Sequence, residues 1–330
     1  MKKKKKEKKI LYQLIFSAFL LFSNAYLVKA NSDILSQDST GKYCINTEQD
    51  YYNFIENIQN YNNKTVILCN DIDISDVPEA TSSFGGILNG KGHTITYASK
   101  EAKENIAVFP FRINDNGIVE NINVQIDESY AYNSETDEFQ TVFSRCDGIA
   151  KGITIKGNVT CIYDDEDTDV YIGAIEGNGT LMDSSIAITY DLQSEKTIEE
   201  IADDIVDNDL SFEFCQLGTI NTGITYQNCI GYGQYSEAIK SLADELEPKI
   251  KDNTWGYLCV SFTRKSFFST SASATNCYYD KENMPDIKIM SEYITNRDNN
   301  KEFPNYADFG KTTSEMKNQG CLLYTSDAAD

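Results

Sequence analysis

The spacing of apolar side chains changes period early in the chain. Tyr51, Phe54, Ile55, Ile58 and Tyr61 recur at helical spacing, which predicts one amphipathic helix over 47–61. Thr47 stands at its start as N-cap, with Asp50 as the capping-box partner. Beyond Asn62-Asn63 the period drops to two. Val66, Leu68, Ile72 and Ile74 alternate with polar residues, the pattern of half-buried strands. From there the chain reads as short strands punctuated by Gly and Asn, beginning with Phe84-Gly-Gly-Ile-Leu-Asn-Gly-Lys-Gly-His-Thr-Ile-Thr-Tyr97.

Three later segments overlay one another from a shared glycine. They are Gly117-Ile-Val-Glu-Asn-Ile-Asn-Val-Gln-Ile126, Gly148-Ile-Ala-Lys-Gly-Ile-Thr-Ile155 and Gly179-Thr-Leu-Met-Asp-Ser-Ser-Ile-Ala-Ile188, each 31 residues after the last. A looser copy, Gly223-Ile-Thr-Tyr-Gln-Asn-Cys-Ile230, follows 44 residues later. The extra length holds Ser194 to Leu210, where Ile198, Ile201, Ile205 and Leu210 predict an inserted amphipathic helix. A second insertion, Ser236 to Lys251, carries Ile239, Leu242 and Leu246, and Pro248 should disturb its last turn. A period near 30 with alternating apolar residues is the signature of a solenoid, whose units must stack to bury their apolar sides. The expectation is an all-β fold, a right-handed parallel β-helix with an N-terminal capping helix and two short helical insertions. Gly117, Gly148 and Gly179 would sit at corners, through positive φ or close approach between units. A β-sandwich with coincidental spacing is the competing architecture.

These residues carry a resemblance. The helix at 47–61, Leu68-Cys-Asn-Asp-Ile-Asp-Ile-Ser75 and Phe84 to Ile95 resemble the start of bacterial surface proteins with pectin-lyase-like right-handed β-helices. The glycine-centred repeats resemble the short GLUG motif. Asn276-Cys-Tyr-Tyr-Asp-Lys-Glu282 and Gly310-Lys-Thr-Thr-Ser-Glu-Met316 look like the elements that close such domains. The resemblance spans most of 43–316, although the repeats are degenerate and the helical insertions depart from the pattern. It implies a secreted or surface protein, in some members adhesive.

The ends read differently. Met1 to Ala30 has a Lys-rich start, an apolar run from Ile10 to Phe22, and Val28 and Ala30 before a cut at Asn31, the layout of a secretory signal peptide. Cys321 to Asp330 resembles a translated sequencing adapter, so the native chain is expected to be truncated near Gly320. The predicted organisation is therefore a signal peptide (1–30), a short linker (31–42), a parallel β-helix domain (43–283), a C-terminal closing segment (284–320) and the adapter-like tail (321–330).

Charge narrows the partners. The chain has 29 Lys plus Arg against 51 Asp plus Glu, a formal charge of −22. Residues 1–30 hold eight Lys and one Glu, leaving the remainder at −29. Such a body is repelled by nucleic acid and by anionic membranes, and no membrane span is expected in the mature fragment. A single His precludes a multi-histidine metal site.

The candidate chemistry is sparse, and no catalytic, cofactor-binding or metal-ligating residue is assigned. Asp71 and Asp73 alternate and can share one strand face, but in the resembled family this Asp-Ile-Asp pattern forms a structural turn. His93, in its Gly-Lys-Gly-His turn, is expected to bond backbone groups. Asp165, Asp167 and Asp169 alternate and offer oxygen ligands of the kind Ca²⁺ takes. The glycine and distal glutamate of an EF-hand loop are missing, so a solvated acidic loop is the plainer expectation. Eight of the nine cysteines precede the adapter-like tail, and Cys44, Cys69, Cys146, Cys161, Cys215, Cys229, Cys259 and Cys277 leave disulfides and buried free thiols both open. Tyr130, Tyr132, Tyr278 and Tyr279 are candidates for stacking on sugar rings, with core packing the commoner use of Tyr. The expected role is a non-enzymatic adhesin or a module binding glycans or host-surface components. The alternative is a carbohydrate-active enzyme of the same fold, a polysaccharide lyase or glycoside hydrolase, although polygalacturonase-type His-centred and Arg-Ile-Lys-type segments are absent.

Overall fold

The computed structural model describes residues 35–75, 77–78, 80, 82–98, 107–131, 138–163, 169–217, 223–251, 254–261, 273–283, 287–289 and 310–318. The signal-peptide segment, the adapter-like tail, Asp165, Asp167 and Tyr132 lie outside the described residues.

The N-terminal helix is shorter than its apolar stripe. α1 (Glu48–Glu56) ends at Asn57, and Ile58–Tyr61 continues as a 3₁₀ turn. Thr47 caps α1 by accepting from Asp50 N–H at 3.2 Å. Asp50 does not return the bond to the cap residue. Its carboxylate accepts from Asn46 N–H at 3.0 Å, one residue earlier than a capping box requires. The helix face of Tyr51, Phe54 and Ile55 is fully buried. Phe54 meets Phe84 and Phe111 edge-on, with ring centroids 5.4 and 5.8 Å apart.

The rest is all-β, built on long parallel sheets. The first sheet contains β1 (Tyr43–Ile45), β2 (Thr65–Leu68), β3 (Ile72–Ile74), β4 (Ile87–Asn89), β5 (Thr94–Ala98), β7 (Ile118–Ala131), β9 (Ile149–Ile162), β11 (Thr180–Met182), β12 (Ser185–Gln193), β14 (Thr225–Gln227), β15 (Ile230–Gly231), β16 (Gln234–Tyr235), β18 (Ser273–Thr275), β19 (Tyr278–Asp280) and β21 (Gly310–Lys311). Every pairing in it is parallel. The second sheet runs β6 (Phe109–Ile113), β8 (Glu138–Cys146), β10 (Val170–Ile175), β13 (Ser211–Cys215) and β17 (Tyr257–Ser261), all parallel, and ends on antiparallel β20 (Ile287–Ile289).

Register makes the repeats physical. Val66, Leu88, Val119, Ala150, Leu181 and Tyr226 stack strand on strand, all essentially without exposure. A second column runs Ile72, Ile95, Val124, Ile155 and Ile186. Alternation therefore puts one apolar side chain per repeat at the same level of the core. The 31-residue offset reaches back one unit further than the glycine alignment, to Asn89, whose amide donates to Glu120 at 2.6 Å. The looser copy is offset by 45 residues, as in the bond from Asn228 to Asp183. Ile224, not Gly223, thus occupies the corner level of Gly179. A further step of 48 residues places Asn276 over Asn228.

The corners use two devices. Gly117, Gly148 and Gly179 are there for close approach, not for positive φ. A β-carbon on Gly148 would collide with the Asn114 and Gly117 carbonyl oxygens, and one on Gly179 with the Gly148 carbonyl oxygen. Four residues further along each of these repeats the left-handed conformation does appear, at Asn121 (φ 54°), Gly152 (φ 61°) and Asp183 (φ 50°), and the same level in the later repeats is held by Asn228 (φ 53°) and Asn276 (φ 53°). Asn and Asp tolerate this region better than other side chains.

Both insertions are helices. α2 (Ile198–Asp207) has a complete capping box between Thr197 and Glu200. α3 (Glu237–Leu246) is capped by Ser236 and stops two residues before Pro248. Ile201, Ile205, Ile239, Leu242 and Leu246 are all buried in the main core. α4 (Thr313–Asn318) follows β21, held by Thr313 Oγ1 donating to the buried Asp280 carboxylate at 2.7 Å.

Candidate functional site

The only histidine braces a turn. Gly90 to His93 closes with His93 N–H donating to the Gly90 carbonyl at 2.8 Å, and Lys91 and Gly92 both adopt positive φ. Asp71, in the preceding repeat, receives Thr94 N–H at 2.8 Å and lies 3.1 Å from His93 Nδ1. The Thr94 N–H first, then His93, hold the Asp71 carboxyl below the ordinary carboxylate range. Asp73, at the centre of β3, is exposed. The structure thus brings His93 to Asp71 and leaves Asp73 outside that bonding.

A denser group lies on the second sheet. In Asp169-Val-Tyr-Ile172, Ser211-Phe-Glu-Phe214 and Tyr257-Leu-Cys-Val260, the residues Val170, Ile172, Phe212, Phe214, Leu258 and Val260 enter the core. Period two then sends Asp169, Tyr171, Ser211, Glu213 and Tyr257 to the opposite face, where register sets Tyr171 beside Glu213 and Ser211 beside Tyr257. Asp169 accepts from Ser211 N–H at 2.6 Å and from the Tyr171 hydroxyl at 3.1 Å. Tyr257 donates to Glu213 at 2.5 Å, the short contact expected of a phenol on a carboxylate. Glu213 is fully buried, with Tyr171 and Tyr257 nearly so. Burial pushes the Tyr171 hydroxyl up to about 12 and that of Tyr257 higher still. Both phenols therefore stay protonated and act as donors.

Sequence reasoning placed Asp169 in an acidic loop and passed over Glu213. A carboxylate between two phenylalanines that enter the core reads as a solvent-face residue under alternation. Its burial depends on chain far away in sequence. Among the described residues, no group of three or more His, Cys, Asp or Glu is arranged to hold a metal ion.

The cysteines divide. Cys44 and Cys69 form a disulfide across the β1–β2 pair, while Cys146, Cys161, Cys215, Cys229, Cys259 and Cys277 are buried thiols. The tyrosine platform is reduced. Tyr279 is buried against the core, Tyr278 is half-buried with Lys311 Nζ 5.6 Å from its ring centroid, and the Tyr130 side chain lies outside the described residues. No described helix is long and apolar enough to cross a membrane. Comparison with family models, curated proteins and solved structures returns no match.

Proposed function

We propose that residues 43–283 form a right-handed parallel β-helix on an exported, secreted or surface-displayed bacterial chain, and that it serves as a non-enzymatic module binding glycans or host-surface components. The observation that carries this reading is the register of polar residues between the core columns. Thr94, Asn123 and Thr154 form one row, and Thr96, Gln125 and Lys156 another. Strand spacing repeats such hydroxyls and amides every ~4.8 Å, a regular lattice of donors and acceptors for sugar hydroxyls. The GLUG-like repeats and the Lys-rich apolar leader support export and surface display. Binding of the full chain to immobilised mucin and to a panel of polysaccharides tests it. Gln125→Ala with Lys156→Ala should weaken retention about fivefold or more, the value of one or two modest hydrogen bonds. No retention on any glycan surface would sink the reading.

A carbohydrate-active enzyme is the second reading. Asp169 and Glu213 put two carboxylates on one sheet face beside two protonated phenols, and paired carboxylates are what glycosidic chemistry requires; because Glu213 is fully buried, substrate reaches it only if the cover over that face moves. New reducing or unsaturated ends from uronate polymers, abolished by Glu213→Gln but not by Asp73→Asn, would establish that reading over the first.

A further inference from the structure

Two of the buried thiols stand at the same level of consecutive repeats. Cys229 directly precedes β15 and Cys277 directly precedes β19, and Ile230 pairs with Tyr278. Tyr278 N–H donates to the Cys229 carbonyl at 2.9 Å, so the two cysteines are register neighbours. Each sulfur lies against the carbonyl two residues back, Cys229 on Gln227 at 3.4 Å and Cys277 on Thr275 at 3.5 Å. The side chains therefore point the same way, and both are fully buried. Parallel neighbours sit ~4.8 Å apart, inside the Cα separation that a disulfide spans. None of the other four buried thiols has a cysteine as its register partner. Cys259 faces Glu213, Cys215 faces Ser261, Cys146 faces Ile113, and Cys161 lies between Tyr130 and Leu192.

We propose that Cys229 and Cys277 form a disulfide that fastens the repeat of β18 and β19 to the repeat of β14 and β15. The reaction is thiol–disulfide exchange with a small-molecule or protein disulfide. Cys277 loses its proton first, its neighbour Cys229 holding it below the ordinary thiol range. The Cys277 thiolate attacks one sulfur of the oxidant, breaking the oxidant's S–S bond and releasing one thiol. Cys229, deprotonated in turn, attacks the Cys277 sulfur of the mixed disulfide and releases the second thiol. Two protein thiols are oxidised and one external disulfide is reduced to two thiols. The bond has something to hold. β14 meets β18 over three residue pairs and β15 meets β19 over two, among the shortest ladders in the sheet.

The test uses the full chain, refolded from denaturant in reduced and oxidised glutathione and then alkylated with N-ethylmaleimide under denaturing conditions. Peptide mapping should return the peptides of Cys229 and Cys277 joined and two hydrogens lighter than their sum. Cys146, Cys161, Cys215 and Cys259 should carry the label. The oxidised chain should melt about 5 °C or more above a chain refolded with the pair reduced. That increment should fall, in both Cys229→Ser and Cys277→Ser, to what the Cys44–Cys69 bond alone contributes. Full alkylation of both residues after oxidative refolding overturns the proposal, as does either one joined to a different cysteine. The mapping needs no variant, so a serine variant that fails to fold leaves the test intact.

Discussion

Asp147 shows how much one buried carboxylate organises. Arg112 and Arg145 occupy the same level of β6 and β8, so their guanidiniums would repel each other without an anion between them. Asp147 supplies it, with Arg112 Nε at 2.5 Å and Arg145 Nε at 3.1 Å, while its other oxygen takes Asn178 N–H at 3.1 Å. Burial pulls this carboxyl upward. The Arg145 bond, the Asn178 N–H and the two positive charges outweigh it and hold the group below its ordinary value. A depressed folded-state pKa contributes stability above the unfolded value and loses it as pH falls through the folded one. The unfolded value lies near 3.8, so the contribution is whole at neutral pH and disappears in acid. Asp147→Asn is expected to cost about 1–2 kcal/mol at pH 7, discounted for the solvent-exposed arginines. Urea midpoints for wild type and variant should draw together as pH falls from 3.8 through the lower folded-state value. A gap that does not change with pH would refute the electrostatic account.

The inserted helices are elements attached to the sheets without interrupting their register. Thr197 and Glu200 satisfy each other's backbone groups at the start of α2, with Glu200 accepting Thr197 N–H at 2.7 Å. Lys249 ties α2 to the segment after α3 through Asp203 at 2.6 Å. Thr197→Ala should destabilise by about 1 kcal/mol, the usual loss of an N-cap. Leu242→Ala, which opens a cavity against the core, should cost about 2–5 kcal/mol. Paired denaturant titrations would show the ratio, and equal losses would mean that α3 is not seated in the core. Both helices, the alternating strands and the 31-residue step were legible, because each is a local period of apolar residues. The end of α1 at Asn57 was not, since its stripe runs on into a 3₁₀ turn that buries Ile58 and Tyr61 just as well. The displacement of the looser copy by one residue was also hidden, because Gly223 is a glycine beside the corner level and sequence alone cannot say which residue stands level with Gly179. Glu213 and its tyrosines escaped for a third reason: alternation reports which face a side chain takes, not what covers that face.

At the scale of the whole molecule, the chain carries a formal charge of −22. Self-repulsion on that scale weakens the compact state at low ionic strength. Raising NaCl from about 10 mM to about 150 mM shortens the screening length from ~30 to ~8 Å, and the thermal midpoint should rise by about 2–4 °C. A flat or falling midpoint would place the acidic residues in stabilising contacts instead. The stacked columns have a consequence for how such a chain can grow. Each repeat presents above what the next presents below, so a duplicated 31-residue unit finds its own docking surface already made. Length is therefore quantised in the sheets and continuous at the insertions. Evolution can lengthen this molecule one storey at a time, or extend a balcony, but a single extra residue within a strand would turn the wall inside out.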